Sequence, residues 1–328
     1  MGKQREQREQ REQRELGEQR ELGEQCRDAP WRVWKIGKPI ACTVINSLCD
    51  LKILMKRWIV SLCGIVLVLV CSGLWITPSV MAQAQIPDLT QAQIERLNEL
   101  RQKAFTATQL GEFTTAEAYW TQLIELLPNN PVGWSNRGNA RVSQNKLDEA
   151  IADFNQSIQL APDAPDPYLN RGTAYEGKGE WDHAIADYRQ VLQINPDDAM
   201  AYNNLGNAKA GKGEWDHAIA NYQKAVDLSP DFAFARANHA LALYQIGEKK
   251  EAILELRKLI RKYPQFPDVR AALTAALWVN GNQGEAESNW VAAIGLDQRY
   301  KDIDWVENIR RWPPAMVMAL DKFLRLEY

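Results

Sequence analysis

The sequence predicts an all-α fold in which six helix-turn-helix units of 34 residues stack into an α-solenoid, followed by a C-terminal helical cap. Three columns that recur every 34 positions carry this prediction. Alanine fills the first column in all six copies: Ala116, Ala150, Ala184, Ala218, Ala252 and Ala286. Proline follows twelve positions later in five copies, at Pro128, Pro162, Pro196, Pro230 and Pro264. Glycine or asparagine precedes the alanine by five positions, at Gly111, Asn145, Gly179, Gly213, Gly247 and Gly281. Such a period indicates one supersecondary unit used repeatedly.

Each unit has the pattern of two helices joined by a short turn. In residues 165–198, Tyr168 and Tyr175 share one stripe of a first helix, and Gly179 breaks that helix. Pro196 ends the second helix, because proline cannot continue it. A pair of helices cannot bury its apolar stripe alone, so each unit must stack on the next. The predicted units are 97–130, 131–164, 165–198, 199–232, 233–266 and 267–300.

Small residues in each unit are expected where the two helices approach most closely. Ala184 and Gly172 allow close contact, and the aromatic ring of Tyr188 fills the neighbouring space.

These positions together resemble the tetratricopeptide repeat. The resemblance rests on three central copies, which carry Trp134, Gly138, Ala150, Phe154 and Pro162; Tyr168, Gly172, Tyr175, Ala184, Tyr188 and Pro196; and Tyr202, Leu205, Gly206, Ala218, Tyr222 and Pro230. It covers residues 97–300 and weakens at the ends, where Ala104, Ala240 and Thr274 replace the usual glycine. The resemblance implies that the chain binds another protein.

The first 54 residues are predicted to lie outside the repeat domain. Residues 3–25 repeat Arg-Glu-Gln triplets and contain almost no apolar side chain, which is typical of a low-complexity, disordered extension. The alternative is that residues 1–54 are not translated and that synthesis starts at Met55.

Residues 55–84 have the parts of a secretory signal peptide. Two basic residues follow Met55, the stretch 58–76 is uncharged, and small residues precede two predicted cleavage points, after Ala82 and after Ala84. The alternative is an uncleaved membrane anchor, since 58–76 is about long enough to span a bilayer. Both interpretations place the repeats outside the cytoplasm, in a periplasm or a thylakoid lumen.

Composition favours a protein partner over nucleic acid. All five cysteines precede residue 85, which suits an oxidising compartment. Residues 85–328 contain 26 lysines and arginines against 33 aspartates and glutamates, a net charge of −7. An acidic solenoid without a basic stripe is a poor candidate for binding nucleic acid.

No catalytic, metal or cofactor site is predicted, and the chain is not expected to be an enzyme. His183 and His217 lie one repeat apart in nearly identical segments, which favours surface positions copied by duplication over a metal site. Neither a thiol after residue 84 nor a glycine-rich phosphate loop is present in the sequence.

The predicted binding surface is the concave groove lined by the first helices. Asparagine recurs fourteen positions before the alanine column, and an asparagine amide both donates to and accepts from an extended peptide backbone. This ladder is similar to that of protein-glycosylating enzymes with tetratricopeptide arms. The alternative is that asparagine is simply common at this position in the family. The asparagines predicted to contact a peptide are Asn136, Asn139, Asn170, Asn204, Asn207 and Asn238.

Aromatic residues extend the predicted groove toward the C-terminus, at Phe234, Tyr244 and Trp278. The alternative is that the C-terminal segment covers them. The basic residues with which some family members clamp a C-terminal carboxylate are absent, since their places hold Ser135, Asn139, Asn170, Met200 and Asn204.

Residues 301–328 leave the repeat register and are predicted to cap the open end of the core. Pro314 starts a last helix with Met316, Leu320 and Phe323 on its apolar face. The alternative role for Trp312 and the two prolines after it is an exposed docking element. The exported solenoid and this tail together resemble tetratricopeptide proteins of cyanobacterial and plastid thylakoid lumens. We therefore predict an adaptor or assembly factor, with a membrane-anchored scaffold as the alternative.

Overall fold

The structure, a computed structural model, describes residues 90–325, and every regular element within that range is a helix. The elements are α1 (Gln91–Gln109), α2 (Phe113–Leu126), α3 (Pro131–Ser143), α4 (Leu147–Leu160), α5 (Pro165–Lys178), α6 (Trp181–Ile194), α7 (Ala199–Gly211), α8 (Trp215–Leu228), α9 (Ala233–Gln245), α10 (Lys249–Lys262), α11 (Pro267–Val279), α12 (Gln283–Leu296), a 3₁₀ turn η1 (Gln298–Lys301), α13 (Ile303–Asn308) and α14 (Pro314–Leu324). The helices from α1 to α12 pair into six consecutive hairpins, which we call repeats 1 to 6. The predicted α-solenoid is confirmed. The predicted extension and signal segment lie outside the described residues.

The turn inside each hairpin uses a left-handed backbone residue. Five glycines of the 34-residue column have positive φ, from 75° at Gly179 to 97° at Gly247. After α5 the Glu180 amide donates to the Tyr175 carbonyl oxygen at 2.9 Å, so the turn satisfies a terminal carbonyl of the helix. Repeat 2 has Asn145 at φ 60°, and asparagine is one of the few other residues that adopt this conformation readily.

Small residues bring the two helices of each hairpin together, as the sequence predicts. All six column alanines are 0% exposed. In the three central hairpins a glycine of the first helix lies against an aromatic ring of the second: Gly138 on Phe154, Gly172 on Tyr188 and Gly206 on Tyr222. A Cβ at these glycines would lie 2.6 to 2.7 Å from the nearest ring carbon, which is inside van der Waals contact.

Two buried ion pairs, one repeat apart, join the first helix to the second in repeats 2 and 3. The Arg137 guanidinium donates to both Asp153 oxygens, with Nε–Oδ2 at 2.9 Å and Nη2–Oδ1 at 2.7 Å. Arg171 holds Asp187 in the same way, at 2.9 and 2.6 Å. Both aspartates are buried, and a bidentate pair fixes the relative rotation of the helices that carry it.

The segment after α12 turns back over the solenoid. The helix α14 packs against α11 and also contacts α9, both of which are first helices. The chain reverses between α13 and α14 at Arg311, whose φ of 54° is left-handed. Within residues 90–325 no helix combines the length and the apolar character needed to cross a bilayer.

Candidate functional site

The first helices form the inner face of the solenoid. Successive first helices contact each other directly, from α3 through α5, α7 and α9 to α11, more closely than successive second helices do. Elements that crowd together lie on the inside of a curve, so the first helices line the concave face. This is the side on which the sequence places the predicted groove residues.

Three of the ladder asparagines lie along the first helices of repeats 2 to 4 and are partly exposed. Asn136, Asn170 and Asn204 are half-buried and stand one on each of three successive first helices. Asn136 Nδ2 donates to the Val132 carbonyl oxygen of its own helix at 2.9 Å. Asn170 Nδ2 is buried without any hydrogen-bond partner. Asn139, one turn after Asn136, is also half-buried.

The ladder changes character at repeat 5, because Asn238 is buried and its amide is used internally. Asn238 Nδ2 donates to Asn203 Oδ1 at 2.8 Å and to Asn207 Oδ1 at 3.2 Å. The Tyr222 hydroxyl donates to the same Asn207 oxygen at 3.1 Å, and Asn203 Nδ2 donates to Asn204 Oδ1 at 3.0 Å. This network joins repeat 4 to repeat 5.

The predicted aromatic positions lie under or beside other side chains. Tyr244 is only 3% exposed. Trp278 is half-buried and packs edge-on against Phe323 of α14, with ring centroids 5.1 Å apart. Phe234 is half-buried and packs against Phe266 at 5.1 Å. At Trp278 the C-terminal segment is the cover, the alternative that the sequence leaves open.

A single buried carboxylate, that of Asp268 on α11, fastens the C-terminal segment. Its Oδ1 accepts from the Tyr300 hydroxyl at 2.8 Å, from Arg310 Nε at 3.0 Å and from Trp312 Nε1 at 3.0 Å. Burial raises the pKa of Asp268, but the Arg310 charge and these hydrogen bonds outweigh it and hold the pKa below its usual value. Trp312 is buried in this contact and is not an exposed docking element.

Arg311 connects the same segment to a distant repeat. Its Nη1 donates to the Glu176 carbonyl oxygen at 2.7 Å and its Nη2 to that of Gly177 at 3.2 Å. Its guanidinium lies 5.2 Å from the ring centroid of Trp181. These partners lie at the C-terminal end of α5 and at the start of α6, so the segment extends from repeat 6 to the inter-helix turn of repeat 3.

The described residues show no other constellation with evident chemistry. Among residues 90–325 no group of three histidine, cysteine, aspartate or glutamate side chains is arranged to hold a metal ion. The side chains of His183 and His217 are 68% and 72% exposed, and each contacts the glutamate three residues before it. The sequence pattern does not indicate the contacts of Asp268 and Arg311, because neither residue belongs to a 34-residue column.

Family models match the central hairpins. A "TPR repeat" model matches residues 138–179 and 177–213, and two "Tetratricopeptide repeat" models match 199–232 and 238–265. A search of curated proteins gives no match.

Solved tetratricopeptide structures are similar in fold. A thermophilic TPR protein of Thermus thermophilus is 20% identical, with a TM-score of 0.49, over 56% of this chain and 99% of that one. YrrB, described as a TPR protein with an unusual peptide-binding site, is 20% identical, with a TM-score of 0.43, over 58% of this chain and 97% of that one. The Cut9–Hcn1 hetero-tetramer of the APC/C matches with 16% identity and a TM-score of 0.54, over 66% of this chain and 46% of that one.

The repeat models, the six hairpins and the glycine-aromatic contacts agree with one another. Tetratricopeptide repeats are protein–protein interaction modules and are generally not enzymes. Residues 138–232 and 238–265 of this chain match tetratricopeptide-repeat models, and the described helices form the stacked hairpins of that fold.

Proposed function

We propose that this chain is a non-enzymatic adaptor or assembly factor that binds an extended peptide segment of a partner protein in the concave groove of repeats 1 to 4. The observation that carries the proposal is the row of half-buried asparagine amides on successive first helices, at Asn136, Asn170 and Asn204. With a net charge of −7 after residue 84, nucleic acid is not among the proposed partners.

The chemistry of the amide suits a peptide backbone. A peptide group offers one N–H donor and one carbonyl acceptor, and an asparagine side chain matches both at once. Asn170 Nδ2 is a buried donor without a partner, and leaving such a group unpaired costs about 1–3 kcal/mol. If the partly exposed Asn170 side chain rotates toward the groove, this amide can donate to a carbonyl oxygen of a bound peptide. Recognition of this kind depends on hydrogen bonds to the peptide backbone and therefore selects little among ligand side chains.

The covered end of the groove limits the length of the ligand. Asn238 and Tyr244 of repeat 5 are buried, so the proposed peptide site ends near Asn207. No lysine or arginine stands at the clamp positions named above, which disfavours recognition of a free C-terminal carboxylate.

Replacing Asn170 and Asn204 together by alanine is expected to weaken peptide binding about tenfold. Each amide pair with a backbone group contributes about 0.5–1.5 kcal/mol, and about 1.4 kcal/mol corresponds to a factor of ten. The probe is an extended peptide selected on the intact protein from a display library, and the readout is its dissociation constant by fluorescence anisotropy.

The matched control for the groove variant is Asn221→Ala on α8, a second helix, where the amide donates to the His217 carbonyl oxygen. It should leave peptide affinity unchanged. Asn170→Ala alone should not lower the free energy of unfolding, because it removes a buried donor that has no partner. Undiminished peptide binding by the double variant would refute the asparagine groove.

We also propose that the chain works outside the cytoplasm, in a periplasm or a thylakoid lumen, because of the signal-like segment 55–84. The mature N-terminus is expected at Gln83 or Gln85, after either predicted cleavage point. Mass spectrometry of the purified native protein would detect a peptide that starts there and ends at Arg96. A peptide that contains both Ala82 and Gln83 in the native protein would contradict cleavage and favour the membrane-anchored scaffold.

A further inference from the structure

The concave face of repeats 5 and 6 is closed, whereas that of repeats 1 to 4 is open. Every residue of α11 from Pro267 to Thr274 is buried except Arg270, and Ala275, Ala276 and Leu277 are buried as well. In an open repeat the inner positions of the first helix stay half-buried, as Asn170 and Thr173 do on α5. The extra burial of α11 therefore comes from the C-terminal segment.

The cover is one amphipathic helix. Met316, Leu320 and Phe323 of α14 stand at positions i, i+4 and i+7 and are each 0% exposed. The Phe323 ring lies between those of Trp278 and Trp290, with centroids at 5.1 and 5.2 Å. An apolar helix face laid against an apolar concave surface is a common mode of peptide recognition.

Two sets of polar contacts hold the segment that carries this helix, and they differ in strength. The upstream one is the Asp268 carboxylate, which is buried and accepts three donors. The other is Arg311, an exposed residue whose hydrogen bonds to backbone carbonyl oxygens of repeat 3 compete with water. Arg311 also has a φ of 54°, a conformation that costs a non-glycine residue of order 1 kcal/mol.

The weaker fastening lies next to the covering helix. Beyond Arg311, the Ala315 amide at the start of α14 donates to Gln245 Oε1 of α9 at 2.8 Å. Loss of these contacts would weaken the hold on α14, which the buried Met316, Leu320 and Phe323 still attach, while Asp268 keeps residues 300–312 in place.

We propose that residues 310–324 occupy a second binding site, the concave face of repeats 5 and 6. Release of Arg311 raises the fraction of molecules in which this face is open, and an amphipathic helix of a partner protein with large apolar residues at i, i+4 and i+7 then binds there. The chemistry of the partner follows from the helix that the face already holds. This site differs from the asparagine groove in location and in ligand, so an experiment can refute one of the two proposed sites without refuting the other.

The role of the Arg311 contacts in holding α14 is tested by hydrogen exchange on the full chain. Arg311→Gln is expected to speed exchange of the α14 amides about fivefold, which corresponds to ~1 kcal/mol, the net worth of an exposed charged hydrogen bond. Gln245→Ala should act in the same direction, because it removes the contact to Ala315. The control Arg325→Gln removes only an exposed pair with Asp321 and should leave exchange at the wild-type rate. Exchange at the wild-type rate in both test variants would show that these contacts do not hold α14.

The second site is tested with a labelled synthetic peptide of residues 310–324, added to the full chain and followed by fluorescence anisotropy. Because the intramolecular helix competes with it, Arg311→Gln is expected to bind the peptide up to about fivefold more tightly than wild type does. A peptide with serine at the positions of Met316, Leu320 and Phe323 should not bind. Equal affinity of the two proteins, or equal binding of the serine peptide, would overturn the proposal. So would a doubled mass of Arg311→Gln in light scattering, which would assign the face to exchange of the segment between two copies.

Discussion

Replacing Asp268 by asparagine is expected to lower the free energy of unfolding by about 3–5 kcal/mol, because it leaves Arg310 without its buried counter-charge. The carboxylate is 3% exposed and accepts from Tyr300, Arg310 and Trp312 at one oxygen. An amide oxygen is a weaker acceptor, and the amide nitrogen adds a donor that this site does not need. Urea denaturation followed by circular dichroism measures the loss.

The control for Asp268 is Asp304→Asn, a change at an exposed aspartate in the first turn of α13. It should cost less than about 0.5 kcal/mol, as most surface changes do. Equal stability of the two variants would contradict the role assigned to Asp268.

The stabilisation by Asp268 should also depend on pH. Since its folded pKa lies below the unfolded value of about 3.9, its contribution is complete above that value and is lost as the pH falls through the folded pKa. The stability difference between wild type and Asp268→Asn is therefore expected to be constant near neutral pH and to shrink below about pH 4. A difference that stays constant down to pH 3 would show that packing, and not the charge, is responsible.

The hairpins could be predicted from the sequence because their determinants are local and repeated. The alanine column marks where helices touch, the glycine column marks each turn, and both kinds of position obey backbone and packing rules that do not depend on distant residues. Asn145 belongs to the same column because it shares with glycine the ability to adopt positive φ.

The same column arithmetic could have found the buried ion pairs. Arg137 and Arg171 are 34 residues apart, and so are Asp153 and Asp187. A fixed separation of sixteen between base and acid in both copies places the two side chains on facing helices.

The contacts of the C-terminal segment could not be predicted in this way. Arg311 meets carbonyl groups 134 and 135 residues earlier, and Asp268 meets donors 32 to 44 residues later. Such contacts depend on the curvature of several stacked repeats, which accumulates from small rotations between neighbours. For this reason the sequence leaves open whether Tyr244 and Trp278 face solvent or lie under a cover.

The second large effect is expected at the contact between Gly172 and Tyr188. Tyr188→Ala should lower the free energy of unfolding by about 3–5 kcal/mol, since it empties the space of a ring that is 0% exposed. Gly172→Ala should also destabilise the protein. Overpacking costs about 1–3 kcal/mol, and the higher helix propensity of alanine offsets up to ~1 kcal/mol of that cost. Its new Cβ would lie 2.6 Å from Tyr188 Cε1, and the enclosed ring has no free space to retreat into.

In the double variant, the effect of Gly172→Ala on the free energy of unfolding should change from destabilising to stabilising. In a Tyr188→Ala background the ring is gone, so Gly172→Ala keeps its helix-propensity gain of up to about 1 kcal/mol and fills part of the cavity. Gly284→Ala in α12 is the matched control, because a Cβ there meets nothing within 4 Å and should stabilise both backgrounds alike. Urea denaturation of the four proteins in the cycle gives the coupling energy. An effect of Gly172→Ala that is the same with and without the ring would mean that glycine recurs here for backbone reasons, and the steric explanation of the Gly138, Gly172 and Gly206 column would be wrong.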